Sequence, residues 1–117
     1  MAKNMTKKEE QHIDNIIAMD MYDRAMEEFK SGSAWYDNSL WERLRTCQAW
    51  VTETHSFFIL KSYGTIVAVI EKEKDCLADV LRVVYGYTAT SAQHIRKFEK
   101  DYGKAKWGCH GVLVARQ

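Results

Sequence analysis

The chain has 117 residues, of which 46% are hydrophobic, and its formal net charge is +1 at pH 7. A chain of this length buries one core, so we expect a single domain over residues 1–117. The small net charge excludes the acidic excess of a wholesale nucleic-acid mimic and the basic excess of a DNA coat protein.

The charge is divided unevenly along the chain. Residues 1–58 contain seven Lys or Arg against ten Asp or Glu, a balance of −3, whereas residues 59–117 contain ten against six, a balance of +4. An acidic helix lying over a basic sheet face explains this division, and so do two surfaces that meet different partners.

Neither a membrane-spanning segment nor a disulfide framework is predicted. The longest uninterrupted apolar stretch, residues 66–70, is far shorter than the roughly 20 residues of a membrane-spanning helix, and the charged amino terminus lacks the core of a signal peptide. Cys47, Cys76 and Cys109 are widely spaced, which favours reduced thiols. We therefore expect a cytoplasmic protein that has no membrane partner.

A long amphipathic helix is predicted over about residues 7–30. Thr6 and Glu9 have the spacing of a capping box, and Asp20 is placed to pair with Arg24. Apolar residues recur at intervals of four, at Ile13, Ile17, Met21, Ala25 and Phe29. A second apolar line comprises Met19, Tyr22 and Met26, and Ile16 widens the first. Burial against a sheet and contact with a partner protein both explain this broad apolar face.

A second helix is predicted after an aromatic loop, because Ser39 and Glu42 repeat the capping-box spacing. Its expected core face consists of Leu40, Leu44, Cys47 and Val51. Several aromatic residues lie off this face or in the loop. Because Trp is enriched in interface hot spots, these aromatic residues predict a partner-binding surface. The surface comprises Trp35, Tyr36, Trp41 and Trp50. Packing around the edge of the core is the alternative interpretation.

From residue 54 the pattern changes to β-strands. Three runs rich in β-branched and aromatic residues follow, at 57–60, 65–70 and 77–87. Short connections join them at residues 62–64 and 71–75. Parallel neighbours would need a crossover of about a dozen residues, so the three strands must form an antiparallel meander.

A third helix is predicted from about Thr90 to Tyr102, because Thr90 and Gln93 have capping-box spacing and Gly103 follows the last turn. Residues 111–115 are predicted as a fourth strand or a docked tail. The order α-α-β-β-β-α-β indicates an α+β domain with its helices on one face of the sheet. Its helical part spans residues 6–52 and its sheet-plus-helix part residues 54–117.

Three segments of the second part resemble a known family. They read SYGTIVAVI from residue 62, YGYTATSAQHIRKF from residue 85 and DYG from residue 101. Together they are similar to the domain-of-unknown-function family 8033, small proteins of bacterial phages and mobile elements, over about residues 57–103. The residues that match the family's turn are Tyr87, Ala89, Thr90, His94, Ile95 and Phe98, whereas Thr88 and Ser91 depart from it.

The resemblance implies a mobile-element origin and no catalytic role. A frequent task of small mobile-element proteins is to block a host defence nuclease, as anti-CRISPR proteins do. We therefore expect a non-enzymatic inhibitor that binds a host protein stoichiometrically, with a CRISPR-Cas effector as one target.

No cofactor or catalytic site is predicted. The sequence contains no glycine-rich phosphate loop, no nucleophile elbow and no zinc-binding His pair on one helix. Zinc is the alternative, because Cys109 and His110 supply two ligands of suitable chemistry. Further ligands would then come through the fold from Cys76, His94 or His55. The spacing fits no standard zinc finger.

A basic stretch supports a nucleic-acid-binding accessory or regulatory protein as the alternative function. Five cations gather within eleven residues, at Arg96, Lys97, Lys100, Lys104 and Lys106. Aromatic residues that could stack on unpaired bases are Tyr85, Tyr87 and Trp107. Glu99 and Asp101 oppose phosphate binding, so a solvated helix face is the other interpretation. The contacts are assigned to Arg96, Lys97 and Lys100.

Overall fold

The computed structural model describes residues 6–32, 40–103 and 111–116. This part of the chain contains three helices, α1 (Lys7–Ser31), α2 (Leu81–Val84) and α3 (Ala89–Tyr102). Its strands are β1 (Glu42–Arg43), β2 (Ala49–Glu53), β3 (Phe57–Ser62), β4 (Thr65–Glu71), β5 (Cys76–Asp79) and β6 (Gly111–Val114). They form one sheet in chain order, antiparallel from β1 to β5, with β6 parallel to β5. The α+β class and the central meander are confirmed.

The sheet is covered on both faces, so the prediction that the helices share one face is wrong. Residues of α1 join one core cluster with Phe57, Ile59 and Val69. Residues of α3 join a second cluster with Leu60 and Val67. The physical reason is visible in β3, where the apolar run 57–60 is continuous rather than alternating, as in strands that are buried on both faces.

The second predicted helix is wrong, since the segment forms β1, a turn and β2. Ala49 and Val51 are buried and Trp50 between them is half-buried, which is the alternation of a strand. The chain reverses before β2 through Arg45, whose φ of 54° lies in the left-handed region. The five residues of β2 pair with β3, so a long-range ladder outweighs the local helical spacing. Ser39 lies outside the described residues.

The segment predicted as the third strand, residues 77–87, forms a strand in its first part and a helical turn in its second. β5 ends at Asp79, and the Val80 N–H donates to the Val67 carbonyl before the single turn of α2 begins. Residues 81–87 therefore leave the sheet and, with α3, supply the crossover that a parallel strand needs. This crossover explains why β6, the predicted fourth strand, runs parallel to β5.

The cap of α3 lies two residues before the predicted one. Thr88 is the N-cap, and its hydroxyl accepts a hydrogen bond from the Ser91 N–H at 3.1 Å. Thr90 is exposed inside the first turn, so its capping-box pairing with Gln93 is wrong. At the other end, the Gly103 N–H donates to the Glu99 carbonyl, as the sequence predicts for a helix that ends there.

α1 begins as predicted and is tied to the sheet by carboxylates. Thr6 and Glu9 form the capping box. Arg24 pairs with Asp20 at 3.0 Å, which confirms that prediction, and also with Glu71 of β4 at 3.2 Å. Glu28 accepts hydrogen bonds from the turn between β2 and β3, and these bonds lower the pKa of its carboxyl against the opposing effect of burial.

The outer edge of β6 is closed by side chains of α1. The N–H groups of Gly111 and Ala115 point to β5, so the backbones of Val114 and Arg116 face outward. Gln11 Nε2 donates to the Val114 carbonyl at 2.8 Å. Asn15 Nδ2 donates to the Arg116 carbonyl at 2.6 Å, and Asn15 Oδ1 accepts from the Arg116 N–H at 2.9 Å. The Asn15 amide thus makes the bonds that another strand would make.

Replacing Thr88 with Ala should lower the free energy of unfolding by about 1 kcal/mol, because the helix loses its capping acceptor. Thr90→Ala is the matched control and should change it by less than about 0.5 kcal/mol. Urea unfolding followed by circular dichroism measures both. A larger loss at Thr90 than at Thr88 would restore the capping box predicted from the sequence.

Replacing Asn15 with Ala should release the edge of β6. Loss of two hydrogen bonds of about 1 kcal/mol each should speed amide exchange in residues 111–116 by about tenfold or more. Asn15→Asp keeps the acceptor and loses the donor, so its exchange rate should be intermediate. Hydrogen exchange with mass spectrometry tests this, and unchanged exchange in Asn15→Ala would show that the amide does not hold the strand.

Candidate functional site

The outward side of α1 carries an exposed apolar surface that is not part of the core clusters of the described residues. Ile13, Ile16 and Ile17 are 42%, 57% and 44% exposed, and we call these three residues the isoleucine face. A helix turns about 100° per residue, so a line of residues at intervals of four drifts around the axis by about 40° per step. Met21 and later members of the predicted line therefore reach the sheet, whereas Ile13 and Ile17 point away from it.

Acidic side chains surround the isoleucine face. Five exposed carboxylates lie on the same side of α1, at Glu9, Glu10, Asp20, Asp23 and Glu27. Arg24 is paired with Asp20 and Glu71, and Lys8 lines the same concave surface as Glu9 and Ile13. The outward side of α1 is thus an apolar centre with an acidic rim.

Two of the four predicted aromatic contact residues come together. Trp41 and Trp50, both half-buried, line an open groove of about 290 Å³ with Lys61, Tyr63 and Gly64. We call it the tryptophan groove. The Lys61 ammonium lies 4.3 Å from the centroid of the Trp41 ring. The rings of Trp41 and Phe29 pack in a T-shaped arrangement, with their centroids 5.5 Å apart. Trp35 and Tyr36 lie outside the described residues.

Tyr63 holds an uncommon backbone conformation at the rim of this groove. Its φ is 60°, in the left-handed region that costs an L-residue about 1 kcal/mol or more, and its side chain is 56% exposed. The ring contacts the imidazole of His94 in a tilted arrangement, with centroids 5.6 Å apart and an interplanar angle of 40°. Tyr63 and Gly64 form the two-residue turn between β3 and β4, and positive φ at both positions is typical of such hairpin turns, so the turn explains this conformation. Sequence reasoning placed Tyr63 in a turn and missed this feature.

The three basic residues predicted for nucleic-acid contact do not form one patch. Lys97 is half-buried and donates from Nζ to Cys47 Sγ at 3.4 Å. Lys100 is exposed, near Asp101, which Arg45 binds with two hydrogen bonds. Arg96 is exposed and lines a cavity beside β6. The helix therefore presents its cations in separate directions.

A buried polar network lies between the sheet and α3. Ser62 Oγ is 2.9 Å from Ser91 Oγ and 2.8 Å from His94 Nδ1, and the three residues are at most 4% exposed. Ser62 lies two residues after Leu60 in β3, so the alternation of the strand places it on the same face as Leu60, toward α3. Ser and His side chains in contact can perform nucleophilic catalysis where a substrate reaches them. Here they lie inside the packing interface, and we interpret them as the polar part of that interface.

The possible zinc ligands are separated or lie beyond the described residues. Cys109 and His110 are outside them, and His94 Nδ1 is engaged with Ser62. Within residues 6–32, 40–103 and 111–116, no three His, Cys, Asp or Glu side chains are grouped so that they could hold a metal ion. Cys47 and Cys76 are free thiols, and burial raises the pKa of Cys76.

Comparisons of the chain with protein-family models, with curated proteins and with solved structures give no match. Among the helices described, none combines the length and apolar character needed to cross a membrane. The function must therefore be inferred from the surfaces of the molecule itself.

His94 should make the stability depend on pH. Burial, and to a smaller extent Lys97, lowers the pKa of His94 below its ordinary value near 6.5. The unfolded chain then binds a proton more readily than the folded one, so stability present above about pH 6.5 is lost as the pH falls below it. The free energy of unfolding in urea should decline between about pH 7.5 and pH 5.5.

His94→Gln should flatten this decline, because glutamine does not titrate. The pKa values of the Glu28 and Asp101 carboxyls are lowered, so their contributions to stability are lost only at more acidic pH. They therefore do not affect the comparison of the native protein with His94→Gln in this pH range. NMR titration of His94 in the native protein gives an independent reading. An equal slope in the variant, or an ordinary pKa by NMR, would contradict the assignment.

Proposed function

We propose that this protein works by binding another protein, with the isoleucine face of α1 as the principal contact. The observation that supports this proposal is the exposure of three isoleucines at positions i, i+3 and i+4, opposite the buried side of α1. This is the pattern of a helix that lays anchors into a hydrophobic groove. α3 differs, since Arg96 and Lys100 face outward there.

The acidic rim indicates the chemistry of the partner. Glu10, Asp23 and Glu27 would repel a second copy of the same surface, so self-association through this face is disfavoured. A partner with an apolar groove edged by Lys or Arg complements both the centre and the rim. We therefore commit to a basic-rimmed protein surface as the occupant.

The tryptophan groove is a second contact candidate within the same function. Trp41 and Trp50 offer aromatic surface, and the Lys61 ammonium between groove and solvent would meet a carboxylate of the partner. The tryptophan groove lies near the C-terminal end of α1, where Trp41 contacts Phe29, whereas the isoleucine face lies in the N-terminal half of the helix. Variants at each end can therefore separate their roles.

A bacterial defence nuclease is the target class that we propose. The resemblance to family 8033 supports a mobile-element origin, and proteins that bind nucleic acids carry basic surfaces of the kind that the acidic rim complements. In this proposal the protein is a non-enzymatic, cytoplasmic inhibitor that blocks its target by occupying a surface. CRISPR-Cas effectors are the first members of this class to test.

The test is binding of the purified protein to a panel of purified CRISPR effector nucleases. The variant combines Ile13→Ser, Ile16→Ser and Ile17→Ser. Because buried apolar anchors dominate interfaces, it should weaken binding by about 100-fold or more. Leu40→Ser is the matched control, since Leu40 is also apolar and 46% exposed and lines neither the tryptophan groove nor the cavity beside β6, and it should leave the affinity within about twofold. Biolayer interferometry measures the dissociation constants.

Two further variants complete this experiment. Asp23→Lys with Glu27→Lys should weaken binding by reversing the rim charge, more strongly at low salt than at high salt. Trp41→Ala with Trp50→Ala shows how much the tryptophan groove contributes. Binding lost only in this tryptophan variant would reject the isoleucine face, and no binding to any effector would reject the proposed target class.

A further inference from the structure

A cavity between α3 and β6 gathers arginines from three separate parts of the chain. It has a volume of about 270 Å³, and Arg82 of α2, Arg96 of α3 and Arg116 beyond β6 line it. Tyr87 lies at the same cavity and is 54% exposed. We call it the arginine cavity. Since residues 82, 96 and 116 are far apart in sequence, only the fold brings these three side chains together.

The guanidinium groups of the arginine cavity are available to a ligand. Among the contacts of the described residues, none of the three arginines forms a salt bridge within 4.0 Å. Asp79 and Glu99 also line the cavity, so its ionised side chains carry three positive charges against two negative ones. One oxygen of Asp79 accepts the Leu81 N–H at 3.0 Å, and the carboxylate also attracts Arg82 and Arg116 without a salt bridge to either.

Tyr87 and Arg82 form a stacked pair at the cavity. The Arg82 guanidinium lies 4.4 Å from the centroid of the Tyr87 ring, within the range of a cation–π contact. This contact orients Arg82 while about half of Tyr87 stays accessible to solvent. An exposed aromatic ring beside a cationic cavity is the pairing by which proteins bind unpaired bases and their phosphates.

We propose that the arginine cavity binds a phosphate group that carries a nucleobase, with the phosphate among the three guanidinium groups and the base against Tyr87. Guanidinium groups donate paired hydrogen bonds that match phosphate oxygens. The volume is slightly below the roughly 300–1,000 Å³ of pockets that enclose drug-sized ligands, so it suits the phosphate, with the base outside. A free nucleotide and single-stranded nucleic acid share this chemistry.

This site differs from the one predicted from the sequence. Arg96 belongs to both, but Lys97 is bound to Cys47, and neither Lys97 nor Lys100 lines the cavity. Arg82 and Arg116 replace them. The isoleucine face lies on α1, across the sheet from Arg82 and Arg96, whereas Arg116 at the sheet edge also lies near Ile13.

The experiment measures binding of the full chain to a fluorescein-labelled single strand of about twelve thymidines, a length within the usual site sizes of single-strand binders. Fluorescence anisotropy is recorded at about 50 and 200 mM salt, with unlabelled AMP as competitor. Arg96→Ala should weaken binding by about tenfold or more. Lys100→Ala is the matched control on the same helix and should change it by less than about threefold.

The outcomes separate cavity binding from general attraction to a basic surface. The proposal is supported if Arg96→Ala and Arg82→Lys both weaken binding of the strand while Lys100→Ala does not. Arg82→Lys keeps the positive charge but loses the paired hydrogen-bond donors of the guanidinium group. Displacement of the strand by AMP then assigns the site to free nucleotides, and failure of AMP to displace it assigns the site to nucleic acid. Equal loss in Arg96→Ala and Lys100→Ala overturns the proposal. If the strand does not bind, isothermal titration calorimetry with AMP replaces the competition, and absence of AMP binding there also overturns the proposal.

Discussion

The packing of α1 across one face of the sheet is the contact on which the rest of the structure depends. Met21 and Phe29 are buried against Phe57 and Ile59, and a large apolar side chain contributes about 1.5–3 kcal/mol when it is fully buried. At the other end of the same helix, Asn15 closes the edge of β6. One helix therefore covers a face of the sheet and seals its last strand.

This double role explains why α1 leaves an apolar surface in water. Only one side of a helix can contact a sheet, and that side is occupied by small and apolar core residues and by the amide of Asn15. Ile13, Ile16 and Ile17 contribute nothing to these contacts, although isoleucine is among the residues most often buried. α3 follows the ordinary pattern, with Arg96 and Lys100 outward. The isoleucine face is thus the feature of the fold that packing within the described chain does not explain.

The sequence correctly predicted those features of the fold that depend on interactions between residues close together in the chain. Neighbouring residues determine the capping box at Thr6, the C-terminal ends of α1 and α3, and the short turns of the meander. The region from Glu42 to Val51 was mistaken for a helix because its pairing with β3 is long-range. The same limit applies to the sites, since the residues of the tryptophan groove and of the arginine cavity meet only in the fold. The four-residue spacing from Ile13 to Phe29 concealed a rotation of the stripe that splits it between core and solvent.

The central claim is that the isoleucine face lies outside the core and is free for a partner. The most direct test compares the free energy of unfolding of the triple serine variant at Ile13, Ile16 and Ile17 with that of Met21→Ser, by urea unfolding of the isolated protein. Isoleucine and serine have similar helix propensities, and each isoleucine is about half covered, so the triple variant should lose at most about 1 kcal/mol per substituted residue. Met21→Ser should lose about 2–5 kcal/mol, because Met21 is 2% exposed. A loss per substituted residue in the triple variant as large as the loss in Met21→Ser would place the isoleucines in the core and contradict the claim.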